Sequence, residues 1–131
     1  METFEKLEVW REGKALAVEI YRSFRGCRDF SFRDQIQRAA VSVSANIAEG
    51  LERNSPAECK QFMGFAKGSA GEVRTFLLIA TEVWLLDEDQ AQRLREQAVC
   101  VSKRLHRFIL SLEARFALKR GGYRASFPPS T

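Results

Sequence analysis

Proline stands at positions 56, 128 and 129 and nowhere else, and glycine is sparse before the Gly121-Gly122 pair. A proline inside a helix removes a hydrogen bond and clashes with the preceding turn, so its absence leaves long stretches on either side of Pro56 free to be helical. Apolar residues recur at steps of three and four through both. The first predicted helix runs from about Phe4 to Arg25, with Leu7, Trp10, Ala17, Tyr21 and Phe24 on one stripe and Val18 and Ile20 widening it. Gly26 offers its stop. The second begins near Ser31, a capping residue, with Ile36, Ala40, Val43 and Ile47 as its stripe and Gly50 as the place where it ends or frays.

The third helix has the clearest start. Ser55-Pro56-Ala57-Glu58 places a capping serine, a proline at the first helical position and a glutamate at the third. Phe62, Phe65, Ala66, Ser69, Val73, Phe76, Ala80 and Val83 follow, with Leu77 and Trp84 broadening that face, and the helix ends around Leu85-Leu86. The fourth starts after Asp87, where Gln90 completes a second capping box. Leu94, Ala98, Val101, Leu105, Phe108, Leu112 and Phe116 carry it to Leu118. Short connections favour antiparallel neighbours. The expected fold is therefore all-α, an antiparallel up-down-up-down four-helix bundle over residues 1–118, followed by a basic Gly/Pro-containing tail over 119–131.

Charge bounds the function. The 131 residues hold 21 basic and 17 acidic side chains, a net of +4. The tail's Lys119, Arg120 and Arg124 supply three of those four charges, leaving the body nearly neutral. Such a body is a poor candidate for a dedicated sequence-independent nucleic-acid clamp, although the tail offers a basic contact. No apolar run approaches the ~18 residues of a spanning helix, so no membrane role is expected. No apolar signal core follows Met1, and Cys27, Cys59 and Cys100 are few and scattered. The expectation is a cytoplasmic protein with three free thiols packing as small apolar residues.

Apolar residues exceed what one stripe per helix requires. Ten Phe, two Trp and two Tyr include several off the stripes, among them Phe30, Phe32, Leu78, Ile79 and Leu85. Either the core is wide or a second face is covered by another subunit. Gly64, Gly68 and Gly71 add to this, since each glycine inside a helix costs about 1 kcal/mol relative to alanine. Their spacing predicts close approach of a neighbouring backbone. The other reading is a shallow ligand groove.

Catalytic constellations are missing from the sequence. His106 is the only histidine. There is no Glu-x-x-His pair for a di-metal bundle, no nucleophile elbow, no phosphate loop and no dinucleotide fingerprint. No catalytic residue, metal ligand, cofactor or small-molecule substrate is expected, and an enzyme is disfavoured. The second helix is more informative. Beside its apolar stripe runs a polar one, Gln35, Arg38, Ser42, Asn46 and Glu49, flanked by Ala39, Ala45 and Ala48. Short Ser and Asn among alanines point to close packing with specific hydrogen bonds. One reading is a buried network reaching Ser69 or Glu72 on the third helix; the other is a recognition surface for RNA or protein.

The run Gln35-Ile36-Gln37-Arg38-Ala39-Ala40-Val41-Ser42-Val43-Ser44-Ala45-Asn46-Ile47-Ala48-Glu49-Gly50 resembles the signature of bacterial four-helix bundle proteins encoded by intervening sequences in 23S rRNA genes. Phe4 to Trp10 resembles the opening of that family, and Gly68, Ser69 and Glu72 its third-helix motif. Leu105 to Leu112 falls in its closing helix, so the resemblance spans residues 4 to about 114. The sequence departs from it in a short connection at 26–30, in Gln37 where a second basic residue is usual, and in Ala70-Gly71. The resemblance implies a four-helix protomer that assembles as a homopentamer. It supplies no activity, and its link to ribosomal RNA is chiefly genetic. A group similar in fold, the accessory proteins of diversity-generating retroelements, works with a reverse transcriptase and nucleic acid.

Two functions are therefore expected to compete. One is a non-enzymatic homo-oligomer that binds rRNA or another nucleic acid through Arg38, Lys103, Arg104, Arg107, Lys119, Arg120 and Arg124, joined at one end by Lys6, Arg11, Arg53 and Lys60. The other is a protein–protein interaction scaffold with no direct nucleic-acid contact.

Overall fold

The computed structural model describes residues 2–119, with side chains placed from residue 8 onward except those of residues 116, 118 and 119. Four helices follow in order: α1 (Glu2–Ser23), α2 (Phe30–Leu51), α3 (Pro56–Glu82) and α4 (Glu88–Lys119). Each packs on its neighbour in sequence, and α1 closes the arrangement on α4. Among the described residues no Cα atom of α2 comes within 8 Å of one in α4, so the two occupy opposite corners of the bundle.

The ends obey local chemistry. Ser55 caps α3, its hydroxyl accepting the Glu58 amide at 3.2 Å, with Pro56 where no amide is needed. The cap of α2 is Asp29, two residues ahead of the predicted Ser31; its carboxylate accepts the Phe32 amide at 3.0 Å. Asp87 takes the Gln90 amide at 3.0 Å at the start of α4. The Gln90 side chain does not return to that cap. It donates to Ser23 Oγ at 2.6 Å and ties the start of α4 to the end of α1. Helix α3 stops at Glu82, earlier than predicted, where Trp84 turns the chain at φ 67°.

The core is formed by Val9, Leu16, Ile20, Phe24, Ile36, Val43, Ile47, Met63, Val73, Leu77, Leu105 and their neighbours. The predicted stripes of α2 and α4 are buried as expected, Phe116 lying outside the described side chains. That of α1 holds in part: Ala17, Ile20 and Phe24 are buried and Trp10 packs on the core, but Tyr21 and Val18 are exposed, and Val9, Gly13 and Leu16 also face inward. Gly13 explains the difference. A side chain there would meet Ile47 Cδ1 at 3.0 Å, so α1 and α2 approach closely at a residue that no apolar count includes. In α3, Phe65 and Val83 are exposed, and Cys59 and Met63 take inward positions.

Helix α2 ends at Leu51, one residue past Gly50 and close to the predicted end, but Gly50 also has a packing role. It is buried inside the helix against α3, where an added Cβ would lie 2.6 Å from Met63 Cε, 3.0 Å from Phe62 Cβ and 3.2 Å from the Cys59 carbonyl oxygen. The Met63 tip can swing aside; the other two atoms cannot without moving α3. Gly50→Ala is therefore expected to destabilise the fold by about 1–3 kcal/mol in urea unfolding, overpacking outweighing the gain in helix propensity. Equal or greater stability would show that α3 yields at this crossing.

Candidate functional site

The polar stripe of α2 divides in two. Ser42 and Asn46 are half-buried and reach α3: Ser42 Oγ lies 2.9 Å from Ser69 Oγ, and Asn46 Nδ2 donates to Ser42 Oγ at 2.9 Å and to the Ser42 carbonyl at 2.8 Å. This is the predicted interhelical network, ending on Ser69 and not on Glu72. Gln35, Arg38 and Glu49 stay exposed, Gln35 bonding Ser31 and Glu49 pairing with Arg53 one turn on. The stripe thus braces α2 against α3 through its middle and is solvated at its ends.

Two of the three cations predicted on the fourth helix share a groove, in company that the sequence does not announce. Lys103 and Arg107 line an open groove of about 540 Å³ on the seam between α3 and α4, together with Lys67, Arg74, Val99, Ser102 and His106. None of these lining residues is acidic. The two helices run in opposite directions along the seam: Lys60 Nζ meets Glu113 Oε2 at 2.9 Å, Lys67 Nζ donates to His106 Nδ1 at 3.2 Å, and Arg74 lies beside Val99. Towards the Lys60 end a second groove of about 650 Å³ is lined by Pro56, Gly64, Phe65 and Leu112 as well as the Lys60–Glu113 pair.

Sequence-adjacent Lys103-Arg104 and Arg107 are read from a basic run, whereas Lys67 and Arg74 sit among Glu72 and the glycines and make no run. Their signal is the heptad step from Lys60 to Lys67 to Arg74, with Gly64 and Gly71 between, which places all five on one line of α3. Within the chain no neighbouring backbone approaches these glycines: a Cβ at Gly64, Gly68 or Gly71 would have nothing within 4 Å. The protomer leaves those positions open. Ser102 is the other feature without a sequence signal. It is only 8% exposed, and its hydroxyl has no hydrogen-bond partner, which costs about 1–3 kcal/mol for a buried polar group.

Other predicted contacts go elsewhere. Arg104 turns from the seam and donates from Nε to Glu12 Oε1 of α1 at 2.8 Å. That hydrogen bond raises the pKa of Arg104, against the opposing effect of burial, so its charge serves the α1–α4 contact. Arg38 lies on α2 beside Tyr21, Gln37 and Val41, at the corner opposite α4, and does not join Lys103 and Arg107. Arg53 and Lys60 are each paired with a glutamate. Lys119's side chain, Arg120, Arg124 and Lys6's side chain lie outside the described residues. Among those residues no group of three or more His, Cys, Asp or Glu is placed to hold a metal ion, and no helix is long and apolar enough to cross a membrane. Cys27, Cys59 and Cys100 form no disulfide, with Cys59 in the core, Cys27 half-buried and Cys100 exposed, against the expectation that all three pack inside.

An all-helical protomer of four helices, braced between α2 and α3 and cationic along α3–α4, is the class these observations define. The chain belongs to the 23S rRNA-intervening sequence protein family, whose model matches residues 5–107. The fold is similar to the 1.70 Å crystal structure of a protein of unknown function from the S23 ribosomal protein family of Bacteroides thetaiotaomicron. The TM-score is 0.75 at 20% identity, covering 80% of this chain and 97% of that one. No curated protein matches the chain.

Proposed function

We propose that the protein is a non-enzymatic, self-associating helical bundle that binds RNA along the α3–α4 seam. The observation that carries this is the seam's charge: Lys67, Arg74, Lys103 and Arg107 line one groove without an acidic residue. Phosphates are the ligands such a surface attracts, and association of several protomers would multiply a modest net charge. The family's connection with 23S rRNA genes favours RNA as the polyanion. Opposed contacts between successive helices support an up-down-up-down topology, and the exposed apolar side chains of α3, Phe65, Leu78 and Ile79, support contact between copies. The assembly belongs to the proposal as a homopentamer, and its compartment as the cytoplasm.

One observation favours the second reading, a protein-binding scaffold. The end of α3 exposes Leu78, Val83 and Trp84, the last at 92%. Salt separates the two. Binding to a structured rRNA fragment is expected to weaken with salt along a log–log slope of about 0.7–0.9 per phosphate contact, with a native mass above that of one chain on the same sample. An oligomer that ignores RNA at low salt would hand the function to the scaffold reading.

A further inference from the structure

We infer that the seam takes a single nucleic-acid strand laid directly on the glycine line of α3, and not the outer face of a duplex. This rests on the RNA-binding reading and specifies its substrate. The line Lys60–Gly64–Lys67–Gly71–Arg74 alternates cation and bare backbone. Lys60 is neutralised by Glu113, so the free charge begins at Lys67 and continues to Arg74, roughly 10 Å further along the helix. Across the seam Lys103 and Arg107 stand one turn apart, about 6 Å.

Between these cations the floor is low. The register that sets Lys67 against His106 sets Gly71, one turn on, against Ser102, one turn back. A glycine there leaves the Ser102 hydroxyl without a facing side chain, and that hydroxyl is recessed and unpartnered. Helix propensity is reduced at Gly64 and Gly71 while nothing inside the protomer occupies the space. Glycine admits a ligand's backbone to van der Waals contact where any side chain would hold it off. A ribose-phosphate strand is narrow enough to reach such a floor, the rim cations holding its phosphates, and a rotation of the Ser102 side chain about χ1 would bring its buried hydroxyl to a phosphate or 2′-hydroxyl oxygen. A duplex is wider than one helix–helix seam and would touch the rim cations alone. A second copy of this chain would have to bring carboxylates to a groove that holds four cations and none of its own.

The test uses the full chain, a labelled 20-mer of poly(U) and a blunt RNA duplex of equal length. The wild type is expected to prefer the single strand by tenfold or more. Gly71→Leu should raise or leave unchanged the melting temperature, because its side chain enters open space, yet weaken single-strand binding at least tenfold and duplex binding little. Ser102→Ala should likewise melt no lower while binding the strand several-fold more weakly. Equal affinity for both RNAs, or a Gly71→Leu protein that binds the single strand as the wild type does, would overturn the inference. A lower native mass in Gly71→Leu with unchanged RNA affinity would do so too, assigning the glycines to contact between copies. Failure of the wild type to bind either RNA would instead defeat the functional reading beneath it.

Discussion

Replacing Phe24 by alanine is expected to remove about 3–5 kcal/mol of stability, the usual cost of truncating a fully buried phenylalanine. Phe24 follows α1 directly and is completely buried. Its ring lies 6.0 Å from Phe32 at the start of α2, which in turn meets Phe76 of α3 edge-on at 5.7 Å. One side chain therefore anchors a chain of three rings joining three helices, beside the short connection from α1 to α2. Since small domains hold ~5–15 kcal/mol in all, the variant would lose a large share of its margin. Urea unfolding at unchanged m reads the effect. A loss below about 1.5 kcal/mol would mean that the rings repack around the gap and that the aromatic chain is not a keystone.

The second large effect falls on binding and spares the fold. Converting Lys67, Arg74, Lys103 and Arg107 together to glutamine should weaken RNA binding on the order of a hundredfold at low salt. It should also flatten the salt slope by about 3, roughly 0.7 for each lost phosphate contact on a single strand. Arg74, Lys103 and Arg107 are exposed and form no ion pair among the described residues, so stability should move by only about 0.5 kcal/mol. Arg104→Gln is the contrast: it uncouples Glu12 on α1 and leaves the seam's charge in place. A quadruple variant that keeps both affinity and slope would place the RNA elsewhere on the molecule.

Much of the fold is legible in the sequence, because capping chemistry and periodicity are local. Ser55-Pro56 and Asp87 mark their helices where predicted, and the stripe of α4 is buried as read. The part of the inward face of α1 that passes through Gly13 was illegible for a physical reason. Its close contact with α2 runs through Gly13, and a position that packs by lacking a side chain adds nothing to an apolar pattern. The seam is half legible for a related reason. Lys103 and Arg107 announce themselves in a basic run, but which acids neutralise their neighbours is a tertiary matter. Arg104 was diverted by Glu12, 92 positions away in sequence, and Lys67 and Arg74 were gathered only when α4 packed beside α3.

The stretch from Gln35 to Gly50, by which the chain is most readily placed among its relatives, meets α3 through the Ser42–Ser69 contact and through Gly50 against Met63. It lines no part of the seam. The family match runs over residues 5–107 and takes in this brace and the proposed ligand surface alike, yet the two share no residue. A relative can inherit the brace unchanged and carry a seam of another charge. On the RNA-binding reading proposed above, ancestry and ligand are therefore separable traits, the second resting on the residues at 67, 71, 74, 102, 103 and 107.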